Sequence, residues 1–145
     1  MSQWLDELTI TANGVEVRRA SEWLETACRG HEVPQPVAER LVLCLNEVLA
    51  NVIAHGGKGA HSAPVKLVLE VALEQGRGKA GVTVSDAGTA FDPRLVPARS
   101  LPRTLEEASL GGRGLLLVRR CSDWLDYRHE GGRNHLTFGA RWEAR

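Results

Sequence analysis

Three polar side chains, Glu47, Asn51 and His55, recur at intervals of four residues within a stretch that is otherwise mostly apolar. This spacing places them along one line of a helix. A carboxylate can orient or deprotonate a hydroxyl nucleophile, and the oxygen of an amide side chain can ligate Mg²⁺. Phosphoryl transfer requires both functions. The alternative interpretation is a solvated stripe on a surface helix, because the pattern is short and common.

A second candidate group is Asp86-x-Gly88, which follows an alternating segment typical of a strand. A buried carboxylate at this point can accept a hydrogen bond from an exocyclic amine such as that of adenine. A glycine two residues later allows close approach of the backbone or a positive φ. The alternative is an Asx turn that simply leads the chain out of the strand.

A third candidate is the glycine-rich run Gly111-Gly112-Arg113-Gly114, which precedes an apolar helical segment. Backbone N–H groups at a helix start favour anions, and glycines let a phosphate come close. Arg113 would add a charged donor. The run is neither a P-loop, since no Lys-Ser/Thr follows, nor a Rossmann fingerprint. The alternative is a flexible lead into an ordinary helix.

The first group lies on a segment, Pro36 to His55, that is predicted to be the central helix of the protein. Its apolar residues recur at spacings of three and four, which is typical of a helix buried on more than one side; they are Val37, Leu41, Val42, Leu45, Val48, Leu49, Val52 and Ile53. A carboxylate and an amide on such a helix require a polar partner.

The remaining pattern predicts helices and strands in an α+β order. Strands are predicted from period-two alternation and helices from apolar spacing: strand Leu5–Thr11, a turn at Asn13-Gly14, helix Glu16–Arg29, strand Pro64–Leu73, loop Gln75–Ala80, strand Gly81–Ser85, helix Leu115–Cys121, and strands Trp124–His129 and His135–Trp142. The segment Arg94–Gly112 is predicted to be a long loop or lid with a short helical turn near Leu105–Ala108. We expect a two-layer sandwich, a mixed and mostly antiparallel sheet covered on one face by about three helices.

Composition limits the class of protein. A chain of 145 residues is predicted to form a single domain, residues 1–145. Lys+Arg and Asp+Glu are both 18, which argues against direct nucleic-acid binding. No apolar run reaches membrane-spanning length and no secretory signal is evident, so we expect a cytoplasmic protein without a membrane segment. The three cysteines are far apart and signal neither a disulfide framework nor a zinc site.

Taken together, the three groups resemble the motifs of the GHKL ATPase superfamily, which includes gyrase and the histidine kinases. The segments LNEVLANVIAHG, VSDAGTAFDP and GGRGLLLVRRCSDWLDY are similar to its first, second and third motifs. The finer resemblance is to its short stand-alone members, the anti-sigma-factor serine-protein kinases of partner-switching systems. It extends over about residues 5 to 142, and it implies a GHKL-type ATP-binding fold.

The resemblance also implies roles for individual residues. Glu47 would be the catalytic general base or hydroxyl-orienting carboxylate, and Asn51 would coordinate Mg²⁺ that bridges the phosphates of ATP. His55 would lie near the phosphates or the lid. Asp86 would accept a hydrogen bond from the adenine amine, in a pocket shaped by Gly88.

The third motif would line the triphosphate through Gly112 and Gly114, with Arg113 and the lid closing over it and Leu115 beginning the following helix. Ala90 belongs to the expected nucleotide-binding set but departs from the family, which often has a second glycine at this position. The adenine-side hydroxyl that the family carries near its last strand has no clear counterpart, although Asn134 could occupy that place.

For function, the resemblance implies a serine/threonine-protein kinase that uses Mg-ATP to phosphorylate a STAS-domain antagonist protein. Such a kinase also holds a sigma factor or another regulator and forms a homodimer. A non-catalytic module that binds ATP and sequesters its partner is the main alternative. A detached histidine-kinase catalytic domain is less consistent with the sequence, because no helical pair with an acceptor histidine precedes the predicted first strand.

Overall fold

A computed structural model describes residues 2–90, 92 and 112–143. In this part of the chain, five strands and four helices follow one another in an α+β order: β1 Ser2–Ile10, α1 Gly14–Gly30, α2 Gln35–His55, α3 Gly57–Ser62, β2 Val65–Glu74, β3 Arg77–Asp86, α4 Gly112–Cys121, β4 Trp124–Glu130 and β5 Arg133–Glu143. The predicted lid and its helical turn near Leu105–Ala108 fall outside the described residues, except for Gly112, which begins α4.

The strands form one sheet in the order β1-β2-β3-β5-β4, and all four neighbouring pairs are antiparallel. The predicted two-layer α+β sandwich is therefore confirmed. The expected mixed character is not present in the described sheet. Strands β3 and β4 run in the same direction, because α4 returns the chain between them, but β5 lies between the two and pairs antiparallel with both.

Helix α2 is the centre of the helical layer, as its apolar spacing predicted. Its buried side chains pack against those of α1 and against the covered face of β3 and β5, where Val82, Val84 and Phe138 are fully enclosed. The buried set from α2 comprises Val37, Ala38, Leu41, Cys44, Leu45, Val48, Leu49 and Val52. Burial of this many aliphatic groups provides most of the favourable free energy that holds α2 on the sheet.

Two of the differences from the predicted segment ends have local causes. The predicted turn at Asn13-Gly14 is the N-terminus of α1, where the side chain of Asn13 accepts a hydrogen bond from the backbone N–H of Glu16 at 3.0 Å. The predicted loop Gln75–Ala80 is only a two-residue turn. Gln75 and Gly76 have φ of 47° and 79°, which is the geometry of a tight hairpin, so β3 begins at Arg77.

No helix among the described residues is both long and apolar enough to cross a membrane.

Because two cysteine thiols are buried, we expect the folded protein to lose stability at alkaline pH. Burial raises the pKa of the Cys28 and Cys44 thiols from 9.0 to about 12. Below pH 9.0 both folded and unfolded chains keep these protons, whereas between 9.0 and about 12 only the unfolded chain releases them. Each thiol should then lower the free energy of unfolding by about 1 kcal/mol per pH unit.

Urea unfolding at pH 8 and pH 10 tests this expectation. The matched variant replaces Cys28 and Cys44 with Ala. It should be less stable at pH 8 but should lose less stability than the wild type on going to pH 10. Equal losses in the two proteins would contradict the role of the buried thiols.

Candidate functional site

The first wall of the site is the C-terminal half of α2. Asn51 and His55 lie one turn apart on this helix and line a cleft together with Val48 and Val52. Asn51 is half-buried and His55 is exposed. Glu47 is also half-buried and lies one turn before Asn51, but it is not among the residues that line the cleft. The structure therefore brings two of the three predicted stripe residues into the cleft itself.

The second wall is the end of β3. Asp86 is only 6% exposed, and its Oδ1 accepts a hydrogen bond from the backbone N–H of Gly88 at 2.8 Å. This is the Asx-type turn that the sequence offered as an alternative. The turn does not compete with a ligand-binding role, because a carboxylate has a second oxygen and Asp86 lines the cleft.

The loop after Asp86 packs tightly on the end of α2. The backbone N–H of Thr89 donates to the carbonyl of Gly56 at 3.2 Å. A Cβ atom built on Gly88 would lie 2.8 Å from both Cα and the carbonyl oxygen of Gly56. Gly88 is thus required for close approach of two backbone segments, and this contact sets the distance between the helix wall and the strand wall.

Substitution of Gly88 by Ala should destabilise the protein for this reason. The atoms it would meet at 2.8 Å include backbone atoms of Gly56, which cannot rotate away. Overpacking of this kind typically costs about 1–3 kcal/mol, measured as the change in the free energy of unfolding in urea.

Gly30→Ala is the matched control, because a Cβ at Gly30 would have nothing within 4 Å. This control should be neutral or slightly stabilising. Equal stability of the two variants would show that the Gly88–Gly56 contact does not constrain the site.

A third wall comes from β5 and β4. The sequence named only Asn134 of this wall, as a possible counterpart of the family's adenine-side hydroxyl. Asn134 lies directly opposite Asp86 in the β3–β5 register and is 6% exposed. Its Nδ2 donates to Asp86 Oδ1 at 3.2 Å and to the carbonyl oxygens of Gly88 and Thr89 at 3.2 and 3.0 Å. The hydroxyl of Tyr127 donates to Asn134 Oδ1 at 2.5 Å.

These walls line an open cleft whose free internal volume is about 40 Å³. Polar groups stand on three sides and aliphatic side chains form the floor. The residues that line the whole cleft are Val48, Asn51, Val52, His55, Gly56, Val84, Asp86, Thr89, Tyr127, Asn134 and Leu136. A cleft with an apolar floor and a few convergent polar groups is typical of a small-molecule site. Ala90 is described and exposed, and it does not line this cleft.

The third predicted motif forms the first turn of α4. Gly112, Arg113, Gly114 and Leu115 are all helical, and their side chains fall outside the described part. The other end of α4 is fixed to α2, because the guanidinium of Arg40 donates to the Cys121 carbonyl from Nε and Nη2, at 3.0 and 2.6 Å. Helix α4 is therefore held beside the helix that carries Asn51 and His55.

The cleft can bind a ligand that donates a hydrogen bond to Asp86 and places oxygen-rich groups near Asn51. The described residues contain no cluster of three or more His, Cys, Asp or Glu side chains that could hold a metal on their own. Mg²⁺ typically takes one or two protein oxygens and completes its shell with phosphates and water. A single amide oxygen from Asn51 is consistent with that mode of binding.

The chain is similar to known proteins in sequence and in fold. Residues 10–139 match the family of histidine kinase-like ATPase domains. The serine/threonine-protein kinase BtrW of Bordetella bronchiseptica is 31% identical over 137 residues, which cover 94% of each chain. A chain of the SiaB–SiaC complex from Pseudomonas aeruginosa, known from a crystal structure, is similar in fold. Its TM-score is 0.55 at 15% identity, over 94% of this chain and 89% of that one.

Proposed function

Because this chain belongs to the histidine kinase-like ATPase domain family, we propose that it is an ATP-dependent serine/threonine-protein kinase built from one nucleotide-binding domain, residues 1–145. Membership in the family confirms the resemblance drawn from the three motifs. The relative BtrW, which aligns over nearly the whole chain, carries the name of such a kinase. Transfer of that activity to this chain is part of the proposal.

The single observation that carries the proposal is the juxtaposition of Asp86 with Asn51 and His55. They come from two distant parts of the chain and line one open cleft. Asp86 would accept a hydrogen bond from the exocyclic amine of adenine. The triphosphate would extend toward α2 and the first turn of α4, where backbone N–H groups favour anions.

Asn51 is the proposed ligand for Mg²⁺, which when bound would neutralise charge on the β- and γ-phosphates. His55 and Arg113 are proposed to contact the phosphates or the lid, and Gly112, Gly114 and Leu115 to form the phosphate-side wall. Gly88 shapes the base side. Ala90 is proposed to adjoin the nucleotide only through the loop that it shares with Thr89, since it lies outside the cleft lining.

Glu47 is the proposed general base. It would accept the proton of a serine or threonine hydroxyl as that oxygen attacks the γ-phosphorus and the bond from phosphorus to the ADP oxygen breaks. The half-buried position of Glu47, one turn from Asn51, is compatible with a hydroxyl that approaches from the solvent side of the cleft. The nucleophile would then come from a docked protein rather than from within the domain.

The proposed substrate is a STAS-domain antagonist protein, and the kinase would also bind a sigma factor or another regulator, in the cytoplasm and as a homodimer. Phosphorylation adds about two negative charges at an interface, which favours release of one partner and exchange for another. No direct contact with nucleic acid or membrane is proposed.

One observation favours the alternative, a non-catalytic module that binds ATP and sequesters its partner. Glu47 does not line the cleft that holds Asn51 and Asp86. If Glu47 also stayed outside the cleft when a partner is bound, the protein would retain nucleotide binding but would not transfer phosphate.

A labelling experiment separates these functions. The purified chain would capture partners from an extract of its source organism, and the captured complex would be incubated with Mg²⁺ and γ-labelled ATP. Acid-stable label on a small co-purifying protein is the expected result. Tight ATP binding without label would favour the sequestering module, and acid-labile label on the chain itself would indicate a histidine-kinase activity.

A further inference from the structure

The hydrogen bonds around Asp86 extend to Asn134 and, through it, to Tyr127, and the family resemblance gave neither residue a role in holding this carboxylate. We propose that Asn134, oriented by Tyr127, is a positioning residue that holds Asp86 ready to select a 6-amino purine over other bases. This inference rests on the proposed function, since it concerns the same nucleotide cleft.

The Asn134 amide has one favoured orientation. Its Nδ2 faces three acceptors, Asp86 Oδ1 and the carbonyl oxygens of Gly88 and Thr89, at 3.0 to 3.2 Å. A flipped amide would place its oxygen against these three acceptors. The Tyr127 hydroxyl, which donates to Oδ1, stabilises the observed orientation from the other side.

The carboxylate of Asp86 is held through one of its two oxygens. Its Oδ1 receives two hydrogen bonds, from the Gly88 N–H at 2.8 Å and from Asn134 Nδ2 at 3.2 Å. Rotation of the carboxylate would break both bonds. Among the described residues no hydrogen bond is made to Asp86 Oδ2, so this oxygen is the acceptor that remains for a ligand in the cleft.

A carboxylate held in this way would discriminate between purine bases. A fixed acceptor favours a base with an N–H donor at position 6 and disfavours one with a hydrogen atom or a carbonyl there, because the buried carboxylate would then be left without its ligand hydrogen bond. Asn134 also joins the loop of Gly88 and Thr89 to β5. The amide of Asn134 therefore fixes both the Asp86 carboxylate and the loop beside it.

The test compares the dissociation constants of ATP and of purine riboside triphosphate, which lacks the 6-amino group. The wild type should bind ATP about 30- to 100-fold more tightly, as expected for a hydrogen bond to a charged group. In Tyr127→Phe this ratio should fall at least about threefold, and in Asn134→Ala at least about tenfold. Affinity for purine riboside triphosphate should change much less in both variants.

Thr83→Val is the matched control. It removes a strand hydroxyl that is bonded to Thr137 at 2.7 Å on the opposite face of the sheet, and its ratio should equal that of the wild type. If Asn134 has only a structural role, both nucleotides should weaken equally and the ratio should persist, which would overturn the proposal. Tyr127→Phe keeps the test decisive if Asn134→Ala fails to fold. A wild-type ratio near one, or no binding of ATP, would instead overturn the adenine-binding function itself.

Discussion

Replacement of Glu47 by Gln is expected to reduce phosphoryl transfer to the partner protein by roughly 10²- to 10⁴-fold, the range typical of the loss of a general base. ATP affinity should stay within about threefold of the wild type, because Glu47 does not line the nucleotide cleft. The substitution keeps the size and hydrogen-bonding shape of the side chain and removes only its ability to take a proton. Single-turnover transfer of labelled phosphate, measured beside equilibrium binding of ATP, separates the two effects.

Glu39→Gln is the matched control for this experiment. Glu39 is exposed and lies on the same helix two turns earlier. Its side chain accepts a hydrogen bond from the exposed side chain of Gln35 at 3.2 Å. Its transfer rate should equal that of the wild type. Undiminished transfer by Glu47→Gln would contradict the general-base role, and loss of ATP binding by this variant would place Glu47 within the nucleotide site instead.

Asp86→Asn should weaken ATP binding by about 100-fold while the protein remains folded. The oxygen of the new amide can still accept from the Gly88 N–H and from Asn134, so the turn after β3 is retained. Its NH₂ group would occupy the place of Oδ2 and would meet the exocyclic amine of adenine donor to donor. The dissociation constant of ATP, measured by calorimetry, checks this result.

The control for Asp86→Asn is Asp126→Asn. Asp126 is an exposed residue of β4 that pairs with Thr137 on the uncovered face of the sheet. The same chemical change there should leave the ATP affinity unaltered. Retention of wild-type affinity in Asp86→Asn would mean that the base does not contact this carboxylate.

The parts of this molecule that local pattern determines were accessible from the sequence. The buried side of α2 could be predicted because aliphatic residues recur every three or four positions along it. Alternation likewise predicted β2, in which Val65, Leu67, Leu69 and Val71 are buried. Asp86 and Gly88 could be identified because they follow a strand, and the structure places Asp86 at the end of β3 and Gly88 in the turn after it.

The parts that depend on pairing between distant segments could not be predicted. Asn134 meets Asp86 only because β5, and not β4, pairs with β3, in a register that joins residues 48 positions apart. The sequence named Asn134 as a possible adenine-side residue through the family resemblance, but nothing in its local pattern indicates a contact with Asp86. The same strand order explains why the sheet is antiparallel throughout its described pairs, since β5 separates the two strands that run in the same direction.

The start of β3 was missed for a different reason. Gly78 looks like a loop residue in the sequence, but it is buried beneath the indole of Trp142, where a Cβ atom would lie 2.1 Å from the ring. Glycine here makes room for an aromatic ring from the paired strand rather than for a turn. Only the partner side chain reveals that use of glycine.

A crystal structure of the protein with Mg²⁺ and a non-hydrolysable ATP analogue tests the assigned nucleotide site most directly. We expect the exocyclic amine of adenine at about 3 Å from the Asp86 carboxylate and Mg²⁺ at about 2.1 Å from Asn51 Oδ1. An analogue bound outside this cleft, or with its amine turned away from Asp86, would contradict the assignment of the site and the kinase function that rests on it.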